Sequence, residues 1–221
     1  MGVVPITPDF DETLRQVVID KIRAKYESTC PAKVANVNGG FTGVLYRFAA
    51  CAEHDEAFTE HAKIHSVWPP HDQRYFQERH LFEFFVNGQS ALECLCYAFF
   101  SLGFIADPPT FPMSTDQNLR SISPERTRDN FNSAFPGSLL AVKLGLAVSS
   151  TEYKEWKEAR NVLSHRTHPG RVLHHVMGGS EHSTWMAFPL DNNTTRARRT
   201  WLANQLATLL AECSSFIDTL S

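Results

Sequence analysis

Five polar residues crowd the end of one helix-prone stretch: Arg160, Asn161, Ser164, His165 and Arg166. A guanidinium offers a planar fork of donors that grips two phosphate oxygens at once. An imidazole exchanges protons near neutral pH, and a seat at a helix C-terminus favours its charged form. These residue types suit attack on a phosphodiester by a neighbouring hydroxyl. That reaction needs a base for the hydroxyl, an acid for the leaving oxygen and bracing for the charged phosphorane. His165 would move the proton, Arg160 would brace the non-bridging oxygens, and Asn161 would orient the ring or the phosphate. Ser164, Arg166 and Arg171 would be the further contacts to substrate. The scheme calls for no metal and no cofactor.

The stretch that carries them, residues 150–170, reads S-T-E-Y-K-E-W-K-E-A-R-N-V-L-S-H-R-T-H-P-G. Ser150 or Thr151 can cap its start, and Glu152 and Glu155 lie where the helix dipole favours anions. Tyr153, Trp156, Ala159 and Leu163 recur at three- and four-residue steps, which turns one face into a core. Pro169-Gly170 stops it. An Arg followed by four to six residues and a His occurs three times: Arg47 to His54, Arg74 to His80 and Arg160 to His165. Only the third has Asn directly after the Arg, apolar Val162 and Leu163 inside, and a helix stop beyond. The competing structural reading pairs Arg160 with Glu158 or a neighbouring helix and lets His165 bond a terminal carbonyl.

The text R-N-V-L-S-H-R resembles the signature of the HEPN superfamily, in which an Arg, four to six residues and a His stand near the end of a core helix. The resemblance covers the motif helix, 151–166, and beyond it only the helical-bundle character. It implies an all-α domain acting as a metal-independent endoribonuclease that leaves a 2′,3′-cyclic phosphate and a 5′-OH. It also implies a symmetric homodimer with both motifs lining one cleft, a role as a toxin or defence effector, and a protein antitoxin or regulatory partner. Geometry bears on the dimer: five residues at about 100° each set Arg160 and His165 about 140° apart. They converge only if the helix unwinds near Ser164 or if each site draws on two chains. RNA and a second copy are thus the expected partners. The alternative is a catalytically inactive HEPN-like module that binds nucleotide, RNA or a partner protein.

A second alternative is a metal-binding four-helix-bundle enzyme using His54, His61 and His65. Offsets of 7 and 11 residues hold these three within about 20° of one line on a helix. Glu53, Asp55, Glu56 and Glu60 around them suggest a solvated acidic face. His168, His174, His175 and His182 have no ligand spacing. Glu93 and Gln89 interrupt an otherwise apolar stretch, so Glu93 needs a partner. Arg160 is one candidate.

These residues must be positioned by a bundle. At 221 residues, with 43% hydrophobic and 20% charged residues, the chain has the make-up of one soluble globular domain, 1–221. Its net charge of −3 excludes a whole basic face for nucleic acid. The five cysteines show no regular spacing, which argues against a disulfide framework. No charged leader precedes an apolar run, and polar residues break the richest apolar stretch, so the expected address is the cytoplasm, off the membrane.

The periodicity predicts an all-α bundle of about five to seven helices. They run from Asp9 or Asp11 to Tyr26, from Phe41 to Ile64 after a turn at 36–40, and from Asp72 to Leu102. The third is the central helix, ended by Gly103. A proline-rich loop spans 106–124. Short helices follow at 124–131 and 139–148, and a last one runs from Thr194 or Thr195 to about Leu220. Between the motif helix and the last helix, 168–193 forms a small β-hairpin or an irregular loop around Gly178-Gly179.

Overall fold

A computed structural model describes residues 9–66, 69–165, 170–174, 182–185, 188–191 and 193–220. Among the described residues it contains eight helices and one small sheet: α1 Glu12–Tyr26, α2 Pro31–His65, α3 His71–Ala106, α4 Asp116–Arg120, α5 Pro124–Ala134, α6 Leu139–Ser149, α7 Thr151–His165, β1 Arg171–His174, β2 His182–Trp185, β3 Phe188–Leu190 and α8 Thr194–Thr219. The expected all-α bundle with a small β element before the C-terminal helix is therefore present. The sheet has a third strand, in antiparallel order β1-β2-β3. Arg166, His168, His175 and the Gly178-Gly179 turn lie outside the described residues.

The helices start where their caps stand. Asp11 accepts from the Leu14 amide at 2.8 Å, Ser123 from Arg126 at 3.1 Å, and Ser138 from Ala141 at 3.2 Å. Pro31 and Pro124 occupy first-turn positions, where a missing N–H costs nothing.

Two helices exceed their expected lengths, for one physical reason. Asn36 to Gly40 is no turn: α2 runs straight through it. A Cβ on Gly40 would lie 2.8 Å from Ala98 Cβ, and one on Gly43 2.8 Å from Cys94 Sγ, so these glycines let α2 pack tightly against α3. Likewise Gly103 does not end α3; the Phe111 ring fills the space its side chain would take, 2.5 Å from that Cβ position. In each case tertiary packing overrides the weak helix propensity of glycine. The proline-rich stretch holds the five-residue α4.

One hydrophobic core runs through the molecule, built on α3, whose Leu81, Phe84, Phe85, Leu95 and Phe99 are fully buried. Among the described residues α3 is the one helix long and apolar enough to cross a membrane, and 61% of its most apolar window is packed inside the fold. The five cysteines are free thiols. The sheet docks through Trp185, fully buried and stacked on Phe85 with centroids 5.7 Å apart.

Candidate active site at the end of α7

Ser150 caps α7, its hydroxyl accepting from the Tyr153 amide at 3.1 Å. The expected core face is in place: Tyr153, Trp156 and Ala159 are buried and Leu163 packs at the edge of the core. Trp156 is the anchor. Its ring lies against Phe84 and Phe85, with centroids 4.8 and 5.1 Å away, and over Gly88 of α3.

The polar residues flank that anchor. Arg160 is half-buried, and its Nη2 pairs with Glu93 Oε1 on α3. Glu93 is not sunk in an apolar environment as its sequence context suggested: its side chain keeps 37% exposure, at the rim of the bundle. Gln89, one turn earlier, is the buried member and reaches Glu93 at 3.5 Å. Arg160 Nε is buried with no hydrogen-bond partner among the described residues, so the guanidinium retains a donor that Glu93 does not use. Asn161 is half-buried and Ser164 exposed.

Sequence reasoning missed a second polar group beside the first. Tyr153 Oη donates to Glu125 Oε1 of α5 at 2.9 Å, and Lys157 Nζ pairs with the same oxygen. Burial and the Glu125 charge push the Tyr153 phenol well above its ordinary range. Burial works to raise the Glu125 carboxyl, but the bonds from Lys157, its own backbone and Tyr153 outweigh it and hold the group below its usual value. The available signal was spacing: Tyr153, Lys157 and Arg160 follow at steps of four and three on one helix face.

α7 stays helical through Ser164 to His165, its last residue. Arg160 and His165 thus remain about 140° apart around the axis. Of the two routes to convergence, local unwinding is not taken.

Arg171 requires a correction. In place of a loop position open to substrate, it opens β1 and is buried, donating through Nη1 to Gln77 Oε1 at 2.8 Å, with Nε 3.2 Å from Glu78 Oε1. Desolvation lowers its pKa. It ties the sheet to α3, on the inside of the molecule. Arg198 ties α8 to α7, with Nη2 3.2 Å from Glu155 Oε2.

The histidine stripe on α2 is also rearranged relative to expectation. The partner of His54 is His80 of α3, with Nδ1 atoms 3.1 Å apart. His61 lies between His65 and His80, at centroid distances of 5.0 and 6.3 Å, and stacks on Phe76. Burial lowers the pKa of His54 against the raising effect of Glu83 and Glu53. Burial, His54, Arg79 and His61 bring His80 down to about 4. Among the described residues no three His, Cys, Asp or Glu side chains converge as a ready-made metal set. Of the looser group, His174 Nε2 meets Thr184 Oγ1 at 3.0 Å across the β1–β2 pair.

In comparison with known proteins, no family model, no curated protein and no solved structure matches this chain. The HEPN resemblance accordingly rests on the residues of α7 alone.

Proposed function

We propose that this chain is a metal-independent endoribonuclease of HEPN type, acting as a homodimer and cleaving RNA by 2′-OH attack to a 2′,3′-cyclic phosphate. The observation that carries the reading is the polar tip of α7: Arg160, Asn161 and Ser164 stand in its last turn and a half, with His165 closing the helix. A half-buried guanidinium already held by Glu93 suits a phosphate better than a freely solvated arginine does, because less side-chain freedom is lost on binding. His165 is the acid–base residue, Arg160 the phosphate brace, Asn161 the orienting residue, with Ser164 and Arg166 along the substrate path. The straight helix favours the composite site, in which Arg160 of one copy works with His165 of the other. A cytoplasmic toxin or defence effector held by a protein antitoxin fits such an activity.

The second reading, a silent HEPN-like module that binds nucleotide, RNA or a partner protein, draws on the Arg160–Glu93 pair, which already neutralises the brace. One experiment separates the two. Wild type and the Arg160→Ala/His165→Ala double variant are incubated with total RNA in EDTA, fragment ends are read for cyclic phosphate, and the oligomeric state is measured at micromolar concentration. Cyclic-phosphate ends from wild type alone support the nuclease. Equal cleavage by both variants sinks the assignment of this site, and a strict monomer sinks the composite geometry. No cleavage by either favours the silent module.

A further inference from the structure

We propose that the outward face of α6 is a docking surface for a second copy of this chain, pairing α6 with α6 antiparallel about a two-fold axis beside Val142. α6 is apolar on both sides. Leu140, Ala141, Leu144, Ala147 and Val148 are buried, and the helix packs against α5, α7 and α8. Leu139, Val142 and Leu146 face outward, at 61%, 47% and 64% exposure. A helix that is hydrophobic all round belongs inside a structure, not on its surface. The neighbouring chain shares this character. Lys143 is the one charged residue between Asp129 and Glu152, in a chain that is 20% charged. Charge depletion around exposed apolar side chains is the composition of an interface core.

Spacing and charge select the occupant. Val142 lies midway along the stripe, so an antiparallel pairing that sets Leu139 opposite the partner's Leu146 also sets Val142 opposite the partner's Val142. The face then meets itself, as a two-fold interface demands. Lys143 stands about 40° around the helix from Leu139, on the side of Leu140. That is the side of α8: Leu139 and Leu140 line a cavity of about 150 Å³ with Glu212, Ser215 and Phe216. The two-fold axis keeps corresponding flanks together, so Lys143 of each copy approaches the α8 flank that carries the partner's Glu212. Neither Lys143 nor Glu212 has an ion-pair partner among the described residues of its own copy. The cavity opens beside Leu139, where the partner's Leu146 arrives. Two such helices with their flanks cover on the order of 1,000 Å² in total, the low end of specific interfaces, so a micromolar dimer is the expected strength.

The test is sedimentation equilibrium of purified full-length chain without RNA. Wild type should show a monomer–dimer equilibrium with a dissociation constant of ~1–100 μM. Val142→Glu, which faces two carboxylates across the axis, should weaken it at least about tenfold, while Val17→Glu on the exposed side of α1 leaves it unchanged. Lys143→Glu and Glu212→Lys should each weaken the dimer by about threefold or more, and their combination should restore it. Mild oxidation should cross-link Val142→Cys between copies and leave Val17→Cys uncoupled, a readout that needs no loss of function. A wild type still monomeric at ~500 μM overturns the assignment and leaves the face to a foreign protein or a lipid surface. A dimer indifferent to Val142→Glu, or no recovery in the charge-exchanged variant, overturns it as well. A monomer would also remove the composite nuclease site, whereas a dimer indifferent to Val142→Glu removes this surface alone. RNA cleavage in EDTA reads the nuclease separately, because the proposed nuclease site contains none of these residues.

Discussion

Gly88 decides how closely α7 sits on α3, and replacing it with alanine should loosen that seat. A Cβ there would lie 2.3 and 2.4 Å from Cζ3 and Cη2 of Trp156. Carbon atoms in contact prefer ~3.5–4.0 Å, so the ring must retreat by more than ~1 Å. It has nowhere to go within the core, since Phe84 and Phe85 enclose it and the residue is 1% exposed. α7 must shift instead. Overpacking of this kind costs ~1–3 kcal/mol, and the clash points to the upper end. The helix-propensity gain of alanine over glycine returns up to ~1 kcal/mol. The net expectation is a loss of about 2 kcal/mol, read as a lower urea midpoint at unchanged slope. Gly39→Ala is the control: its Cβ meets nothing within 4 Å, so it should gain ~0.5–1 kcal/mol. Trp156→Phe should hurt wild type but relieve Gly88→Ala, giving a coupling above ~0.5 kcal/mol. A Gly88→Ala protein as stable as the Gly39→Ala protein would refute the packing argument.

Two further outcomes follow from charges inside the bundle. Asp55, 2% exposed, pairs with Arg199 Nη1 at 2.9 Å, and Arg199 also holds Asp9 and Glu56. Arg199→Met strands a buried carboxylate and should cost ~3–5 kcal/mol, whereas Asp55→Asn leaves Arg199 with two partners and should cost clearly less. Urea titration of both variants checks the asymmetry, and equal losses contradict it. His80 has a folded-state pKa near 4 against an ordinary 6.5, so the unfolded chain protonates first as pH falls. Its contribution is fully present above pH ~6.5 and is lost on descent toward pH ~4. The melting temperature of wild type should fall across that window more steeply than that of His80→Gln, and parallel curves would remove His80 as the cause.

The helices were legible in the sequence wherever apolar periodicity and capping residues agreed, as at Asp11 and Ser150. Glycine misled at 36–40 and at 103, because a local code cannot reveal that another helix or ring occupies the missing side chain's place. The residues of the candidate site were legible as types on one helix. Its setting was not: Glu93 and Glu125 reach α7 from α3 and α5, 67 and 28 residues away from their partners in sequence. Arg171 read as a substrate contact because nothing local shows that Gln77 and Glu78 await it. The His54 stripe likewise gave one helix's histidines and omitted the ring facing them.

The two ends of the described chain lie along each other. Lys21 of α1 meets Asp218 at 2.6 Å and the Ser214 carbonyl at 3.2 Å, while Arg199 meets Asp9. α1 and α8 therefore run side by side in the same direction, joined by contacts nearly the whole sequence apart. The α2–α3 hairpin instead pairs neighbours, linked by a short connection. Loop-closure entropy grows with the length of chain closed, so the hairpin is the economical nucleus and the α1–α8 seam zips last. Substitutions at Gly40 or Gly43 should then slow folding, whereas substitutions at Lys21 should chiefly speed unfolding. Amide protons of α1 should also exchange through an opening smaller than global unfolding.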